Sequence, residues 1–175
     1  MSIKNKIKAY LPLLKGKIKP DYNLKNIYEI NIDELWDRGI RAIFFDLDST
    51  ITVSKSAKFS DRAREFIKKL EDKGFKLAII SNNYSENYIS RVQKEIHIKI
   101  YFPAEKPQTF MLKRVMDEFS LNTQECAMVG DRPVTDILAG INAGCLTILV
   151  DGIDADNENL PTRFIRWVER LTVKN

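Results

Sequence analysis

The stretch that decides the fold class is Arg41-Ala42-Ile43-Phe44-Phe45-Asp46-Leu47-Asp48-Ser49-Thr50. Its first half is a short apolar run, which is typical of a buried strand in a parallel sheet. Two acids, Asp46 and Asp48, follow one residue apart. Open α/β sheets bind ligands at the carboxyl ends of their strands, where these acids are expected to lie. Because two adjacent anions need a divalent cation to neutralise them, the pattern predicts a metal site that handles phosphate groups.

The composition is ordinary for one globular domain of 175 residues, with 44% hydrophobic and 30% charged residues. The sequence shows no apolar stretch of membrane-spanning length and no secretory signal. Cys126 and Cys145 are too few for a disulfide framework, which indicates reduced thiols and a cytoplasmic location. His97 is the single histidine, so a histidine-based triad or zinc site is not expected.

The positive charge, +4 overall, is concentrated at the start of the chain. Residues 1–20 contain six lysines and no acid, and apolar side chains such as Ile3, Ile7 and Leu14 recur there at helical spacing. A basic amphipathic segment of this kind either lies on an anionic membrane or packs on the core of its own domain. Both interpretations stay open. The predicted location is therefore the cytoplasm, with peripheral contact to the inner membrane face as the second option.

Short apolar runs alternate with amphipathic stretches along the rest of the chain. This alternation predicts βαβ units, and hence a three-layer α/β fold with a parallel sheet of about five strands. Ser60 and Asn83 are predicted helix N-caps, and Gly74 a C-terminal cap. The predicted strands are Ala42–Phe45, Lys76–Ile80, Ile98–Phe102, Cys126–Val129 and Leu146–Val150. The predicted helices are about Asp61–Lys73, Ser85–Glu95, Pro107–Phe119, Val134–Ala143 and Pro161–Leu171.

Three further polar motifs follow predicted strands: Ser81-Asn82-Asn83, Lys106-Pro107, and Gly130-Asp131 with Asp136. With the Asp46 motif, these four motifs in this order resemble the haloacid dehalogenase superfamily of phosphohydrolases. The motifs of that family read Asp-x-Asp-x-Thr, then Ser or Thr, then Lys, then Gly-Asp-x-x-x-x-Asp. The resemblance spans about residues 41–150. It implies a Rossmann-like fold and a phosphatase domain over residues 41–175, preceded by a basic lead-in, residues 1–40, on or near the core.

The resemblance also implies a Mg²⁺-dependent mechanism. Asp46 attacks phosphorus and forms an aspartyl phosphate, which divides one difficult displacement into two. Asp48 protonates the leaving alkoxide and later deprotonates the attacking water. Mg²⁺ is held by Asp46, by the backbone carbonyl of Asp48 and by Asp131. Thr50 supports this motif.

The remaining motif residues are implied to bind the phosphate group. The Ser81 hydroxyl and the backbone N–H groups around Asn82 donate to phosphate oxygens. Lys106 neutralises both the nucleophile and the transferring group, and Asp136 orients Lys106 or a metal-bound water. Each of these residues alone has a purely structural interpretation: Ser81 as an N-cap, Lys106 as a solvated loop charge and Asp136 as a first-turn acid. Their conjunction in family order favours the site.

The intervals between motifs are too short for the cap domain by which family members usually select substrates. Members without a cap tend to act on macromolecules, on lipid head groups, or within oligomers. The layout of the chain, including Ser81-Asn82-Asn83, resembles the YqeG-type branch, whose eukaryotic relatives dephosphorylate phosphatidylglycerophosphate. The implied partner is thus a phosphorylated substrate, foremost a phospholipid head group. Three positions depart from the branch: Ser49 replaces Asn, Arg132 replaces Gln, and Ile141-Asn142 replaces Asn-Arg, which removes a basic residue.

Two rival functions remain. One is an uncapped phosphatase acting on nucleic-acid ends, phosphoproteins or small phosphomonoesters, although no platform of aromatics interleaved with Arg indicates nucleic acid as a partner. The other is a non-catalytic binding protein on the same fold, against which the intact set of motif residues speaks.

Overall fold

A computed structural model describes residues 18–154 and 160–174, and its centre is a parallel sheet of six strands. The strands are β1 (Tyr22–Leu24), β2 (Ala42–Phe45), β3 (Lys76–Ile80), β4 (Ile100–Tyr101), β5 (Cys126–Gly130) and β6 (Leu146–Val150). The α-helices are α1 (Ile32–Asp37), α2 (Asp61–Lys73), α3 (Glu86–Glu95), α4 (Phe110–Phe119), α5 (Leu138–Ala143) and α6 (Leu160–Arg170). Short 3₁₀ turns cover Ile27–Glu29 and Thr123–Glu125, and a π turn covers Pro133–Ile137. The strand order is β1-β6-β5-β2-β3-β4.

The predicted α/β class and parallel sheet are confirmed, and the sheet has one strand more than the five predicted. The additional strand, β1, is an edge strand that pairs Tyr22 with Ile148 of β6. Its three residues are too few to show a period-two pattern, and none of them is fully buried. At the opposite edge, the predicted strand Ile98–Phe102 shortens to the two residues of β4.

β2 lies in the middle of the sheet and is buried on both faces, which explains its uninterrupted apolar sequence. Ile43 and Phe45 point into a core cluster with side chains of α1, α2 and α3. Ala42 and Phe44 point to the other face, into a cluster with side chains of α4 and α5. The sheet is therefore the middle of three layers, with both cysteines buried and unpaired inside them.

The helix boundaries follow local capping chemistry. The Ser60 hydroxyl accepts the N–H of Ala63 at the start of α2, and Gly74 ends that helix in the left-handed conformation. Both agree with prediction. The predicted N-cap Asn83 is wrong, because Ser85 caps α3 and Asn83 instead accepts the N–H of Ser85. The predicted helix Val134–Ala143 divides into the π turn and α5.

The intervals between the motifs hold few elements. Only α2 and a loop separate Thr52 from Lys76, and α3 and β4 separate Asn83 from Lys106, which leaves no room for a cap domain. No helix among the described residues has both the length and the hydropathy to cross a bilayer.

The described part of the lead-in adds β1 and α1 to the domain. Ile18, its first described residue, forms backbone hydrogen bonds with Thr172 and Lys174. Residues 1–17, which carry the basic amphipathic pattern, lie outside the described residues. The predicted membrane or core contact of this segment, and the division at residue 40, remain predictions.

Candidate active site

The sequence motifs converge at the carboxyl edge of the sheet. All strand pairs are parallel, so the residues that follow β2, β3, β4 and β5 emerge on the same side. A cavity of about 330 Å³ lies there, and it is lined by each of the four motifs and by one face of α6. Asp46, Asp48, Ser81, Asn82 and Lys106 all contribute to its wall.

Lys106 is the central cation of this site, and its side chain is only 1% exposed. Its ammonium donates to Asp46 Oδ1 at 2.6 Å and to the carbonyl of Ile80 at 2.7 Å, and pairs with Asp136 Oδ1 at 2.8 Å. Burial alone lowers the pKa of a lysine, but the carboxylates of Asp136 and Asp46 outweigh that effect and raise the pKa of Lys106. The ammonium therefore stays charged at neutral pH.

Asn82 fixes the backbone of Lys106. The Asn82 side-chain amide donates to the carbonyl of Lys106 at 2.9 Å, and its oxygen accepts the N–H of Lys106 at 2.7 Å. These two bonds lock together the chain segments that follow β3 and β4. The sequence predicted only a backbone contribution to phosphate binding near Asn82. The Asn82 side chain also holds the loop that carries Lys106 in place.

Ser81 precedes Asn82 and is almost fully buried. Its hydroxyl oxygen accepts the N–H of Asn83 at 3.1 Å. A hydroxyl that accepts one hydrogen bond can still donate its own proton. Because Ser81 lines the cavity, that proton can be directed at an anionic oxygen of a ligand there.

The Asp48 carboxylate is held by α3, by the loop before α3 and by the loop after β2. Its Oδ1 accepts the hydroxyl of Tyr88 at 2.7 Å and the N–H of Lys55 at 2.9 Å, and its Oδ2 accepts the Asn83 amide at 3.4 Å. Burial and the contact with Asp48 raise the pKa of the Tyr88 phenol. The sequence does not predict this role of Tyr88, because Tyr88 occupies a buried position of an amphipathic helix, as any core aromatic residue does.

Asp131 is held at the other side of the site. The buried Thr50 hydroxyl donates to its Oδ1 at 3.0 Å, so the threonine of the first motif orients Asp131. Its buried Oδ2 accepts no hydrogen bond from the residues that the structure describes, and it forms an ion pair with the guanidinium of Arg166 on α6. Arg166 was noted in the sequence only as part of the YqeG-type layout.

Gly130 allows Asp136 to reach Lys106. A Cβ atom built on Gly130 would lie 2.3 Å from the Cβ of Asp136, closer than real side chains approach. The Asp136 carboxylate also accepts the N–H of Arg132 at 3.0 Å and the hydroxyl of Thr135 at 3.2 Å. The motif glycine is thus required by the close approach of the π turn.

The acids of this edge fit a divalent cation. Asp46, Asp131 and Asp136 each offer a carboxylate oxygen, and the three oxygens lie within 4.8 Å of one another. Carboxylate oxygens are the ligands that Mg²⁺ prefers, and the buried Asp131 Oδ2 without a hydrogen bond is suited to a metal. Both Asp46 and Asp136 bond to Lys106, but Asp136 also accepts the N–H of Arg132 and the hydroxyl of Thr135. Asp46 and Asp131 are therefore the better-placed pair.

The Asp46 carboxyl has a raised pKa in this site. Burial raises the pKa of its carboxyl to about 6, against the opposing effect of Lys106, and the charges of Asp136 and Asp48 add to the rise. A cation between Asp46 and Asp131 would relieve the repulsion. Burial is thus the main cause of the raised pKa, and the neighbouring carboxylates increase it.

Arg132 connects the site to α6. It makes a two-pronged contact with Glu169, whose carboxylate is buried, through Nε to Oε2 at 3.0 Å and Nη2 to Oε1 at 2.5 Å. Arg132 and Arg166 together tie α6 to the loop that carries Asp131. The departure from Gln at position 132 thus has a structural use in anchoring this helix.

Comparisons with known proteins agree with this geometry. A family model of haloacid dehalogenase-like hydrolases matches residues 55–144. The chain is 32% identical over 158 residues to the probable phosphatase YqeG of Bacillus subtilis, covering 90% of this chain and 91% of that protein. It is 26% identical over 165 residues to phosphatidylglycerophosphate phosphatase 1 of Arabidopsis thaliana, covering 90% of this chain and 47% of that protein.

Solved structures support the fold. An uncharacterised protein from Listeria monocytogenes superposes with a TM-score of 0.54 at 19% identity, over 75% of this chain and 99% of that one. The cobalt-bound deoxy-D-mannose-octulosonate 8-phosphate phosphatase of Haemophilus influenzae superposes with a TM-score of 0.52 at 16% identity, over 77% and 90%.

Fold, motif geometry and comparisons together place this chain in the haloacid dehalogenase-like hydrolase family. Within the family it is a phosphatase of the YqeG type.

Proposed function

We propose that this protein is a Mg²⁺-dependent phosphomonoester hydrolase that works through an aspartyl phosphate and acts on phosphatidylglycerophosphate. The observation that carries the proposal is the buried Lys106 ammonium, 2.6 Å from Asp46 Oδ1, at the edge where three carboxylates converge. A cation held against the nucleophile lets a phosphate dianion approach a carboxylate that would otherwise repel it.

Asp46 is the proposed nucleophile. Lys106 holds its Oδ1, which leaves Oδ2 to attack phosphorus. The new oxygen–phosphorus bond forms as the bond to the leaving alkoxide breaks, and Asp48 gives that alkoxide its proton. Water then attacks phosphorus of the aspartyl phosphate as the bond to the Asp46 oxygen breaks, which releases phosphate and the free Asp46 carboxylate, and Asp48 takes the proton from that water. The contacts of Asp48 with Tyr88 and the Lys55 N–H hold this acid at the cavity wall.

The metal ligands proposed are Asp46, Asp131 and the backbone carbonyl of Asp48, with Thr50 orienting Asp131. Mg²⁺ held there would supply positive charge that offsets these carboxylates and the phosphate group. Asp136 is proposed to position Lys106. Ser81, Lys106 and the backbone around Asn82 are proposed to bind the phosphate group.

The substrate proposal rests on two observations. One relative with a named substrate, which matches 90% of this chain, is a phosphatidylglycerophosphate phosphatase. The site also lacks a cap domain, so a head group at a lipid surface can reach it. The corresponding location is the cytoplasm, with peripheral contact to the inner membrane face. The basic residues 1–17 are proposed to take part in that contact.

The test is phosphate release from phosphatidylglycerophosphate in detergent with Mg²⁺, beside soluble phosphomonoesters, phosphopeptides and phosphorylated nucleic-acid ends. We expect the lipid to be hydrolysed fastest and Asp46→Asn to lose turnover by about a thousandfold or more. Asp72→Asn, which alters an exposed carboxylate on α2, is the matched control and is expected to keep full activity. Faster turnover of a soluble substrate would refute the lipid assignment, and full activity of Asp46→Asn would refute the mechanism.

A further inference from the structure

The two oxygens of the Asp48 carboxylate have different surroundings. Oδ1 accepts two hydrogen bonds, from the Tyr88 hydroxyl at 2.7 Å and from the Lys55 N–H at 2.9 Å. From the residues that the structure describes, Oδ2 accepts a single and longer bond, from the Asn83 amide at 3.4 Å. Asn83 lines the cavity, whereas neither Tyr88 nor Lys55 is among the described residues of its wall. Oδ1 is therefore anchored from behind, and Oδ2 lies on the side of the cavity.

This asymmetry determines which oxygen of Asp48 can carry a proton. A backbone N–H can only donate, so Oδ1 accepts from Lys55 in both the ionised and the neutral form of the acid. With the Tyr88 phenol as the second donor, both lone pairs of Oδ1 are used. The proton of the neutral acid therefore lies on Oδ2, where a substrate in the cavity can receive it.

Tyr88 is a rigid donor. Its side chain is 5% exposed and belongs to the core cluster that packs α1, α2 and α3 on the sheet. Its N–H donates to the hydroxyl of Ser85, the N-cap of α3, so the start of that helix fixes its backbone as well. A hydroxyl on a packed side chain of this kind holds its partner in one orientation. Asp48 is only partly buried, so water could solvate its carboxylate, and burial alone does not require the phenol.

We infer that Tyr88 is a positioning residue that directs Asp48 Oδ2 at the leaving oxygen, which suits the site to phosphate esters of ordinary alcohols. The proton on Oδ2 passes to the leaving oxygen as the bond from that oxygen to phosphorus breaks, and the bonding electron pair stays on the oxygen. An alkoxide leaves poorly without this proton, whereas p-nitrophenolate is a stable anion that does not need it. The inference rests on the proposed function for the role of Asp48, and it does not depend on the lipid substrate.

The test compares kcat/KM for two alkyl esters, glycerol phosphate and phosphatidylglycerophosphate, with kcat/KM for p-nitrophenyl phosphate. This parameter reports the steps up to the aspartyl phosphate, in which the leaving group departs. We expect Tyr88→Phe to lower the ratio of the alkyl value to the aryl value by about tenfold or more. A variant that only disturbs the fold would lower both values alike and keep the ratio.

Tyr101→Phe is the matched control. Tyr101 is also 5% exposed, and its hydroxyl also donates to a carboxylate, that of Glu118, at 2.6 Å. Glu118 is not among the described residues that line the cavity. The control therefore removes a comparable hydrogen bond elsewhere in the domain and is expected to keep the ratio. Thermal unfolding of each variant verifies its folding.

A double-mutant cycle shows whether Tyr88 acts through Asp48. Asp48→Asn is expected to lower the ratio of alkyl to aryl kcat/KM by about a hundredfold or more, because the transferable proton is lost. Adding Tyr88→Phe to Asp48→Asn should then change the ratio no further, since the residue that Tyr88 positions no longer transfers a proton.

The outcomes separate the inference from the proposed function. An unchanged ratio in Tyr88→Phe, together with a lower ratio in Asp48→Asn, would refute the inference and leave the proposed mechanism in place. An unchanged ratio in Asp48→Asn would refute the proposed role of Asp48 and the inference with it. A further decrease in the double variant would show that Tyr88 does not act through Asp48. Failure of the wild type to hydrolyse either alkyl ester would overturn the selectivity for alcohols, and faster hydrolysis of glycerol phosphate than of the lipid would refute only the lipid assignment.

Discussion

Lys106 holds two carboxylates together in a space that water hardly reaches. The expected result of Lys106→Met is a destabilisation of about 3–5 kcal/mol at neutral pH, because Asp46 and Asp136 are left as buried, unpaired anions. At pH about 5 Asp46, whose pKa burial raises to about 6, can take up a proton, so the loss should be smaller. Urea unfolding at the two pH values measures the difference. Lys68→Met, which breaks an exposed pair on α2, should change stability little and equally at both pH values.

Asp46 predicts a pH dependence of its own. Folding raises the pKa of its carboxyl to about 6, chiefly through burial, so the folded state holds this proton more tightly than the unfolded chain. The metal-free protein should therefore lose stability relative to Asp46→Asn as the pH rises from about 4 to about 6, and not above. Mg²⁺ binds the ionised carboxylate, so its affinity should increase over the same range. Calorimetric titration with Mg²⁺ tests this; an affinity independent of pH would contradict it.

At this scale, the sequence predicted which residues meet and missed those that support them. Asp46 and Asp131 directly follow β2 and β5, and Lys106 lies in the loop after β4, so the parallel topology brings them to one edge. Tyr88 lies in the first turn of α3, and Arg166 lies in the middle of α6. Their sequence surroundings resemble those of any core aromatic or surface arginine, and only the packing of α3 and α6 reveals their contacts with Asp48 and Asp131.

At the scale of elements, the junction of β5 with the π turn depends on the absence of a side chain at Gly130. Gly130→Ala should displace Asp136 and with it Lys106, lowering kcat by about tenfold or more as well as stability. Gly39→Ala is the matched control. Gly39 has a φ of +89° and open space around its Cβ position, so that variant should lose about 1 kcal/mol of stability and keep kcat. Unchanged kcat in Gly130→Ala would show that Asp136 does not position Lys106.

Helix α6 places the Arg166 guanidinium where a metal would approach Asp131. Arg166→Met should therefore bind Mg²⁺ about tenfold more tightly, since the cation no longer competes with a resident positive charge. The metal-free variant should be less stable, because Asp131 remains buried without its partner. Arg163→Met, on the exposed side of the same helix, should change neither quantity. Calorimetry measures the Mg²⁺ affinity, and thermal unfolding with and without Mg²⁺ measures the stability. Weaker Mg²⁺ binding by Arg166→Met would contradict the expectation and show that Arg166 favours metal binding.

Element types were predictable where the apolar pattern is long, as in α2, whose start and end carry Ser60 and Gly74. Element types were less predictable where pairing with a distant part of the chain determines whether a strand forms. Three residues form β1 only because the exposed edge of β6 offers main-chain partners at Ile148 to Val150. Asp136 lies in the π turn Pro133–Ile137 and contacts Lys106, and no local pattern in the sequence encodes that contact.

For the molecule as a whole, the two edge strands of the sheet are shorter than the strands inside it. β2 and β5 are fully buried, and their register joins Phe44 to Met128 on one side and to Ala78 of β3 on the other. The carboxyl ends of this central region carry the site. The most deeply buried strands therefore carry the residues that need accurate placement. The outer elements pack around them.

The two outermost strands, β1 and β4, are three and two residues long. Strands that short offer a foreign chain few unpaired N–H and carbonyl groups on which to extend the sheet. The margins of the fold are thus poor templates for cross-β association, even though the interior strands are rich in the residues that form fibrils.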